Sequence, residues 1–155
     1  MLNPRKNKVL MAVTTGNPQL LKEVLEKGNS PNLPGPQNMT ALHTAVLLCR
    51  LEEVQMLIQA GAKLEARDKN DLTPLGYAVL PVSVTPFPLL KKQMKTEEGR
   101  AELDQARSDI RKALLAAGAD WHAPSKTAPT PWERFQHYWP QQAKEAVPVV
   151  GPAQV

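Results

Sequence analysis

The sequence predicts an all-α solenoid of short helix pairs, and three observations carry that prediction. Small and apolar residues recur at one period: Ala12, Ala45 and Ala78 stand 33 apart, as do Gly28 and Gly61, Val24 and Leu57, and Thr40 and Thr73. A fixed period of this length marks a repeat architecture, in which one unit buries its apolar face only against the next. Each copy also opens and closes with helix-boundary chemistry at matching offsets. Between those boundaries the apolar residues fall at helical spacing, with Leu20, Val24 and Leu25 on one stripe and Val54, Leu57 and Ile58 on another.

The elements follow in order. Arg5, Lys6 and Lys8 precede Val9–Val13, which superficially resembles the start of a secretory signal. Five apolar residues are too few for one, and Thr14-Thr15-Gly16 breaks the run, so the segment reads as the first inner helix. Asn17-Pro18 opens the first outer helix, with a polar cap followed by proline in the first turn. Gly28 closes it, as Gly61 and Gly118 close later copies, where a left-handed residue satisfies the last carbonyls. Thr40 and Thr73-Pro74 open the second and third inner helices. Inner helices of about eight residues and outer helices of about ten are too short to be stable alone.

The register then breaks. Ala45 lies 16 residues before Gly61, whereas Ala78 lies 40 before Gly118, so repeat three carries 24 extra residues, placed at about 81–104. Pro81, Pro86 and Pro88 forbid a continuous helix through 81–88. From Thr96 to Ala117 the sequence is charged and helix-favouring, with Leu103, Ala106, Ile110, Ala113 and Leu114 at helical spacing. One long outer helix is expected there, salt-bridged and exposed, with Gly99 a weak point near its start. Thr130-Pro131 begins a fourth copy in register, and Trp132 and Phe135 are expected to cap the apolar end of the stack. No matching outer helix is expected after them. The domain is placed at 1–139 and a flexible, Pro-rich tail at 140–155.

Several short motifs give the repeat a family likeness. Thr40-Ala41-Leu42-His43-Thr44-Ala45 resembles the Thr-Pro-Leu-His-x-Ala signature of ankyrin repeats, with Ala41 in place of proline. Thr73-Pro74-Leu75-Gly76-Tyr77-Ala78 keeps the proline and has Gly76 where histidine is usual. Gly61-Ala62-Lys63-Leu64-Glu65-Ala66 and Gly118-Ala119-Asp120-Trp121 resemble the stretch that closes such a repeat. The likeness covers residues 7–137. It implies about three helix pairs plus a partial C-terminal cap, with an insertion in repeat three. It also implies a structural role for His43, bonded to an adjacent turn, and a concave binding face made of turn tips and the solvent side of the inner helices. By register, the tips are Pro36, Gln37 and Met39, then Lys69, Asn70 and Leu72, then Lys126 and Thr127. The inner-helix positions are Thr44, Leu47, Leu48, Tyr77 and Leu80. If exposed, their apolar members would form a patch with the makeup of a protein interface. The alternative is that the Pro-rich stretch 81–88 folds over Leu47 and Leu48; the interface is the expectation.

No catalytic constellation emerges from the sequence. There is no Gly-x-Ser-x-Gly, no Gly-rich phosphate loop and no paired histidine among His43, His122 and His137. The single cysteine, Cys49, excludes an internal disulfide framework and a cysteine-based zinc site. It stands where repeat one has Gly16, which suits a turn residue better than a nucleophile. No cofactor is expected. Nineteen Lys and Arg against 15 Asp and Glu leave a net charge of +4, and the pI is near 9.3, a weak argument for nucleic acid. The longest apolar runs are too short to span a membrane. The expected function is a non-catalytic protein-binding module that sequesters, inhibits or scaffolds a partner protein; an immunity or antitoxin-like factor neutralising a toxin or enzyme is one form of it. A nucleic-acid or anionic-surface binder using Lys91, Lys92, Lys95 and Arg100 is the alternative. A cytoplasmic location is expected, or a periplasmic one if a signal segment has been removed.

Overall fold

The computed structural model describes residues 7–84 and 88–150. Arg5, Lys6, Pro86 and residues 151–155, which figure in the sequence reading, lie outside the described residues. The described chain contains eight α-helices and no strand: α1 (Lys8–Thr15), α2 (Pro18–Glu26), α3 (Ala41–Leu47), α4 (Leu51–Gln59), α5 (Pro74–Ala78), α6 (Glu97–Ala116), α7 (Pro131–Tyr138) and α8 (Pro140–Val150). Inner helices α1, α3, α5 and α7 stack in sequence, and outer helices α2, α4 and α6 stack beside them. This is the all-α solenoid the period predicts.

The boundaries follow from the capping residues. Asn7 Oδ1 accepts from Leu10 N at 3.0 Å, and Asn17 Oδ1 from Leu20 N at 3.1 Å. The hydroxyls of Thr40, Thr73, Thr96 and Thr130 each accept from the backbone N–H three residues on. Thr130 and Glu133 complete a reciprocal capping box. Such caps satisfy N–H groups that an α-helix cannot bond internally. The core between the helices is aliphatic: Val9, Ala12 and Val13 from α1, Leu42, Ala45 and Val46 from α3, Val54 and Leu57 from α4, Leu75 from α5, and Ile110 and Leu114 from α6 are all buried.

Two arginines tie successive repeats together. Each stands eleven residues before the glycine that ends its outer helix, Arg50 before Gly61 and Arg107 before Gly118. Arg50 Nη1 donates to the Gly16 carbonyl at 3.3 Å and to Glu53 Oε1 at 3.4 Å. A Cβ on Gly16 would lie 2.4 Å from that nitrogen, so glycine leaves the room the guanidinium occupies. Cys49, the equivalent turn residue of repeat two, takes the same left-handed backbone at φ 58 without being glycine. Arg107, only 2% exposed, donates through Nη1 to the Leu80 carbonyl at 2.9 Å and through Nη2 to the Leu47 carbonyl at 3.2 Å. It thereby bonds the last carbonyl of α3 and a carbonyl two residues beyond the end of α5.

The inserted region departs from expectation in one respect. Helix α6 runs over Glu97–Ala116, but among the described residues the ion pairs are Arg50–Glu53 and Arg67–Asp71, and neither lies on it. Salt bridges therefore do not lace its surface. Lys95 sits exposed on the second of two single 3₁₀ turns ahead of the helix, and Lys91 and Lys92 sit exposed between those turns. Gly99 marks a close approach: a Cβ there would lie 1.9 Å from the Gln93 carbonyl oxygen.

The C-terminal end brings a second correction. Trp121, Trp132 and Phe135 form a ring cluster with centroids 5.0–5.9 Å apart, and Phe135 is buried while Trp132 is half-buried. The segment expected to be a flexible tail from residue 140 is instead helix α8, packed on α7, with Ala143 buried. It fills the outer-helix place that the sequence reading left empty. Trp139 Nε1 donates to the Val79 carbonyl at 2.8 Å and holds the connection in place. The prolines misled the reading because Pro140 occupies the first helical turn, where a missing N–H breaks no bond.

Two substitutions test this architecture. Phe135→Ala removes the buried ring of the cap and is expected to destabilise the fold by about 3–5 kcal/mol, read as a lower thermal midpoint. Arg107→Met strips two charge-assisted donors from buried carbonyls and is expected to cost about 3 kcal/mol, read from the urea midpoint. An unchanged midpoint for Arg107→Met would mean that the guanidinium does not hold α3, α5 and α6 together.

Candidate functional site

The turns preceding α3, α5 and α7 are joined to one another in a row. Lys69 N donates to the Gln37 carbonyl at 2.8 Å, and Asn38 Nδ2 to the Arg67 carbonyl at 3.1 Å. One turn further along, Arg67 Nη2 donates to the Pro124 carbonyl. Asp71 Oδ2 accepts from Ser125 Oγ at 2.7 Å and from Lys126 N at 3.1 Å. These bonds hold the Asp71 carboxyl below its ordinary pKa, the Ser125 hydroxyl contributing most. Neighbouring turns are thus tied by side-chain and backbone bonds alike.

Beneath the row lies a buried polar network. His43 Nε2 donates to the Leu72 carbonyl at 2.8 Å, while Nδ1 accepts from Thr40 N at 3.2 Å. The partners themselves assign this neutral tautomer, because a carbonyl can only accept. Asp68 Oδ1 accepts from Asn70 N at 2.9 Å and Leu72 N at 3.0 Å, shaping the turn, and Asp68 Oδ2 accepts from the Tyr77 hydroxyl. Burial and that carboxylate push the Tyr77 phenol up to about 12. The Tyr77 ring meets His43 edge-on, with centroids 5.9 Å apart. His43 therefore has the structural role that the resemblance implies.

The predicted binding residues divide sharply. Gln37, Lys69 and Asn70 are exposed at the tips, and Met39 is half-buried. Thr44, Leu47, Leu48, Leu72, Tyr77 and Leu80 are all buried, Leu48 at 1% and Tyr77 at 7% exposure. The exposed apolar patch expected from Leu47, Leu48, Leu72, Tyr77 and Leu80 is therefore absent, and the sequence reading is corrected there. Inner helices of five to seven residues, α5 and α3, have neighbours on both sides. Tyr77 is turned toward the preceding repeat by His43 and Asp68, and the ends at Leu47 and Leu80 are closed by Arg107. The alternative cover, the stretch 81–88, includes residues outside the described set; within it, Val82 is buried and donates to Asp104 Oδ1 at 2.9 Å.

Sequence reasoning missed three residues here. Asp68 carries a signal, since an aspartate two and four residues before the N–H groups it accepts from is a turn device. Arg107 is legible as the register equivalent of Arg50. Arg134 is the register equivalent of Tyr77, with the same 57-residue offset that separates Thr73 and Thr130. At Cys49, burial pushes the thiol pKa up, against the pull of Arg107, so the thiolate is disfavoured. Among the described residues no group of three or more His, Cys, Asp or Glu could hold a metal ion, and no helix is long and apolar enough to cross a membrane.

A helical-repeat solenoid with a tied row of turns is a scaffold for macromolecular recognition. Residues 9–82 match a family described as ankyrin repeats, in three copies. Over residues 9–82, just under half of its length, the chain is built of ankyrin repeats, and ankyrin repeats mediate protein–protein interaction. It is similar to the RelA-associated inhibitor of Mus musculus, 33% identical over 70 residues, which is 45% of this chain and 8% of that protein. It is also similar to the NF-kappa-B inhibitor delta of Mus musculus, 31% identical over 85 residues, 54% of this chain and 26% of that one. The potassium channel AKT1 of Arabidopsis thaliana is 36% identical over 67 residues, 43% of this chain and 8% of the channel. The matched region thus spans about a quarter or less of each relative's length.

The His43 network sets a pH dependence. Burial, the leading cause, holds the His43 pKa below the histidine value of 6.5, against the raising effect of the Leu72 carbonyl. The unfolded chain takes up a proton near that value which the folded chain refuses, so this contribution is fully present above it. It is lost progressively as pH falls through the lower folded value. Thermal midpoints are expected to fall on acidification from about pH 7.5 to about pH 5.5. His43→Gln is expected to be less stable at neutral pH but to show a flatter slope over that range. Parallel slopes would remove His43 as the cause.

Proposed function

We propose that this protein is a non-catalytic binding module that holds a partner protein on its turn row and thereby sequesters, inhibits or scaffolds it. The observation that carries this reading is the row itself. Gln37, Lys69, Asn70, Lys126 and Thr127 are exposed on turns tied to one another. Such a frame presents side chains already ordered, which lowers the entropy lost on binding. Two of the similar proteins bear the name of an inhibitor, which favours inhibition as the mode. The rival surface, the exposed lysines of the insert, offers three cations that join no ion pair among the described residues.

Affinity capture from the native host, with the captured protein identified by mass spectrometry and its affinity then measured, tests the reading. Asn70→Trp/Thr127→Trp places neutral bulk on two tips and is expected to weaken binding at least about tenfold, a typical cost at an interface centre. The helical signal should stay unchanged. Gln59→Trp on the outer helices, Cys49→Ser, and Lys91→Glu/Lys92→Glu/Lys95→Glu are each expected to retain the partner. Loss of binding in the lysine variant with retention in the tip variant would move recognition to the insert and overturn the proposal.

A further inference from the structure

We infer that the first repeat docks on the first repeat of a second copy of this chain, joining two solenoids end to end in a closed, twofold dimer. The inference does not rest on the turn row being a binding face. Its starting point is three apolar side chains on the first repeat. Met11 on α1 is 46% exposed, Leu20 on α2 is 37% exposed, and Leu33, in the turn after α2, is 44% exposed. They are three of the five large apolar residues exposed among the described residues. The Leu33 carbonyl accepts from Asn7 Nδ2 at 3.1 Å, which sets Leu33 beside the start of α1.

Register shows what two of these positions do elsewhere in the stack. Thr44 and Tyr77 follow Met11 in the next two repeats, as Glu53 and Ile110 follow Leu20, and all four are buried. Tyr77 is turned toward the preceding repeat by His43 and Asp68. Glu53 pairs with Arg50, which bonds the Gly16 carbonyl of the repeat before it. Through these positions a helix pair packs on its predecessor. In the first repeat they carry methionine and leucine, and both stand open. Terminal repeats need a polar outer face to stay apart in solution, and this end presents the residues of an interior joint instead.

The opposite end of the stack is closed. Helix α8 packs on α7 there, and Phe135 and Ala143 are buried. Head-to-tail stacking of copies is therefore blocked, while the open ends can still meet each other. Such a contact is isologous and stops at two chains.

Charge favours the same arrangement. Lys22 and Glu26 line the groove between α2 and α4, which leaves Lys8 and Glu23 flanking Met11 and Leu20, with Lys27 just past the end of α2. Lys8 and Glu23 are exposed and join no ion pair among the described residues. An end carrying both signs is matched by its own twofold copy rather than by a surface of one sign. With the axis parallel to the helices, α1 lies over α2 of the other copy and Lys8 comes opposite Glu23. The end of one short helix pair is smaller than the roughly 800 Å² per partner of a standard interface, so the dimer is weak and forms with rising concentration.

The test is sedimentation equilibrium of the full chain over a wide concentration range, with reductant present so that Cys49 cannot link copies. The mean mass is expected to rise from 17.1 kDa toward twice that value and to level off there. Met11→Glu/Leu20→Glu, at exposed positions that do not threaten the fold, should weaken self-association at least tenfold with an unchanged helical signal. Lys8→Glu and Glu23→Lys should each weaken it at least threefold, and the two together should restore it. Asn70→Trp/Thr127→Trp should dimerise as the unaltered chain does, which separates this surface from the turn row. A monomer at every concentration would overturn the inference, whether residues 1–6 or nothing covers the end. Growth beyond two copies, a dimer that survives Met11→Glu/Leu20→Glu, or a double charge swap as weak as the single ones would overturn it as well.

Discussion

The Arg107 guanidinium bridges the point at which the repeat period breaks. An inner helix of five or seven residues leaves its last carbonyls unbonded, and in the interior no water reaches them. Arg107 comes from the long helix after the insertion, yet it bonds the Leu47 carbonyl at the end of one inner helix and the Leu80 carbonyl beyond the end of the next. Desolvation lowers its pKa, against the raising influence of Cys49 and Asp104. The insertion lengthens the chain between α5 and α6 without uncoupling them, because the arginine stays at the same offset from its terminal glycine as Arg50 does. Hydrogen bonds to a buried charge are stronger than neutral ones, and the stacking of repeats two and three depends on these.

The turn row depends on that stacking. Tips bond to one another only when successive helix pairs sit at a fixed separation, since Lys69 must reach Gln37 and Asp71 must reach Ser125. The network below adds a second layer of order. His43 spans from the start of its own helix to the next turn, Asp68 shapes that turn, and Tyr77 ties it to the following helix. Each buried polar group among these has a partner, so the network fixes geometry without leaving a costly orphan. Burial of Tyr77 serves this framework and is why it does not stand on the surface.

The turn row differs in character from the apolar face that the family resemblance implied. Its exposed tips, Gln37, Lys69, Asn70, Lys126 and Thr127, are polar, while the aliphatic residues that accompany them in sequence are consumed by the stack. Rigidity resides in backbone and buried bonds, and under the proposed function selectivity falls to the few charged and amide groups at the tips.

The sequence by itself determined the helix pairs, their capping residues, the 33-residue period and the aromatic cap. Each of these is a local or periodic property, set by which residues can start, stop or fill a short helix. It did not determine which apolar side chains of an inner helix face solvent. Leu47, Leu48 and Leu80 occupy positions that the family resemblance marks as outward, and they are buried because neighbours on both sides and a residue 60 or 27 positions away close over them. Nor did it determine that Pro140 opens a helix, since the order of that segment comes from Trp139 anchoring to Val79 and from Ala143 packing into the core. Burial and long-range hydrogen bonding depend on separations in space, and only the assembled stack decided those.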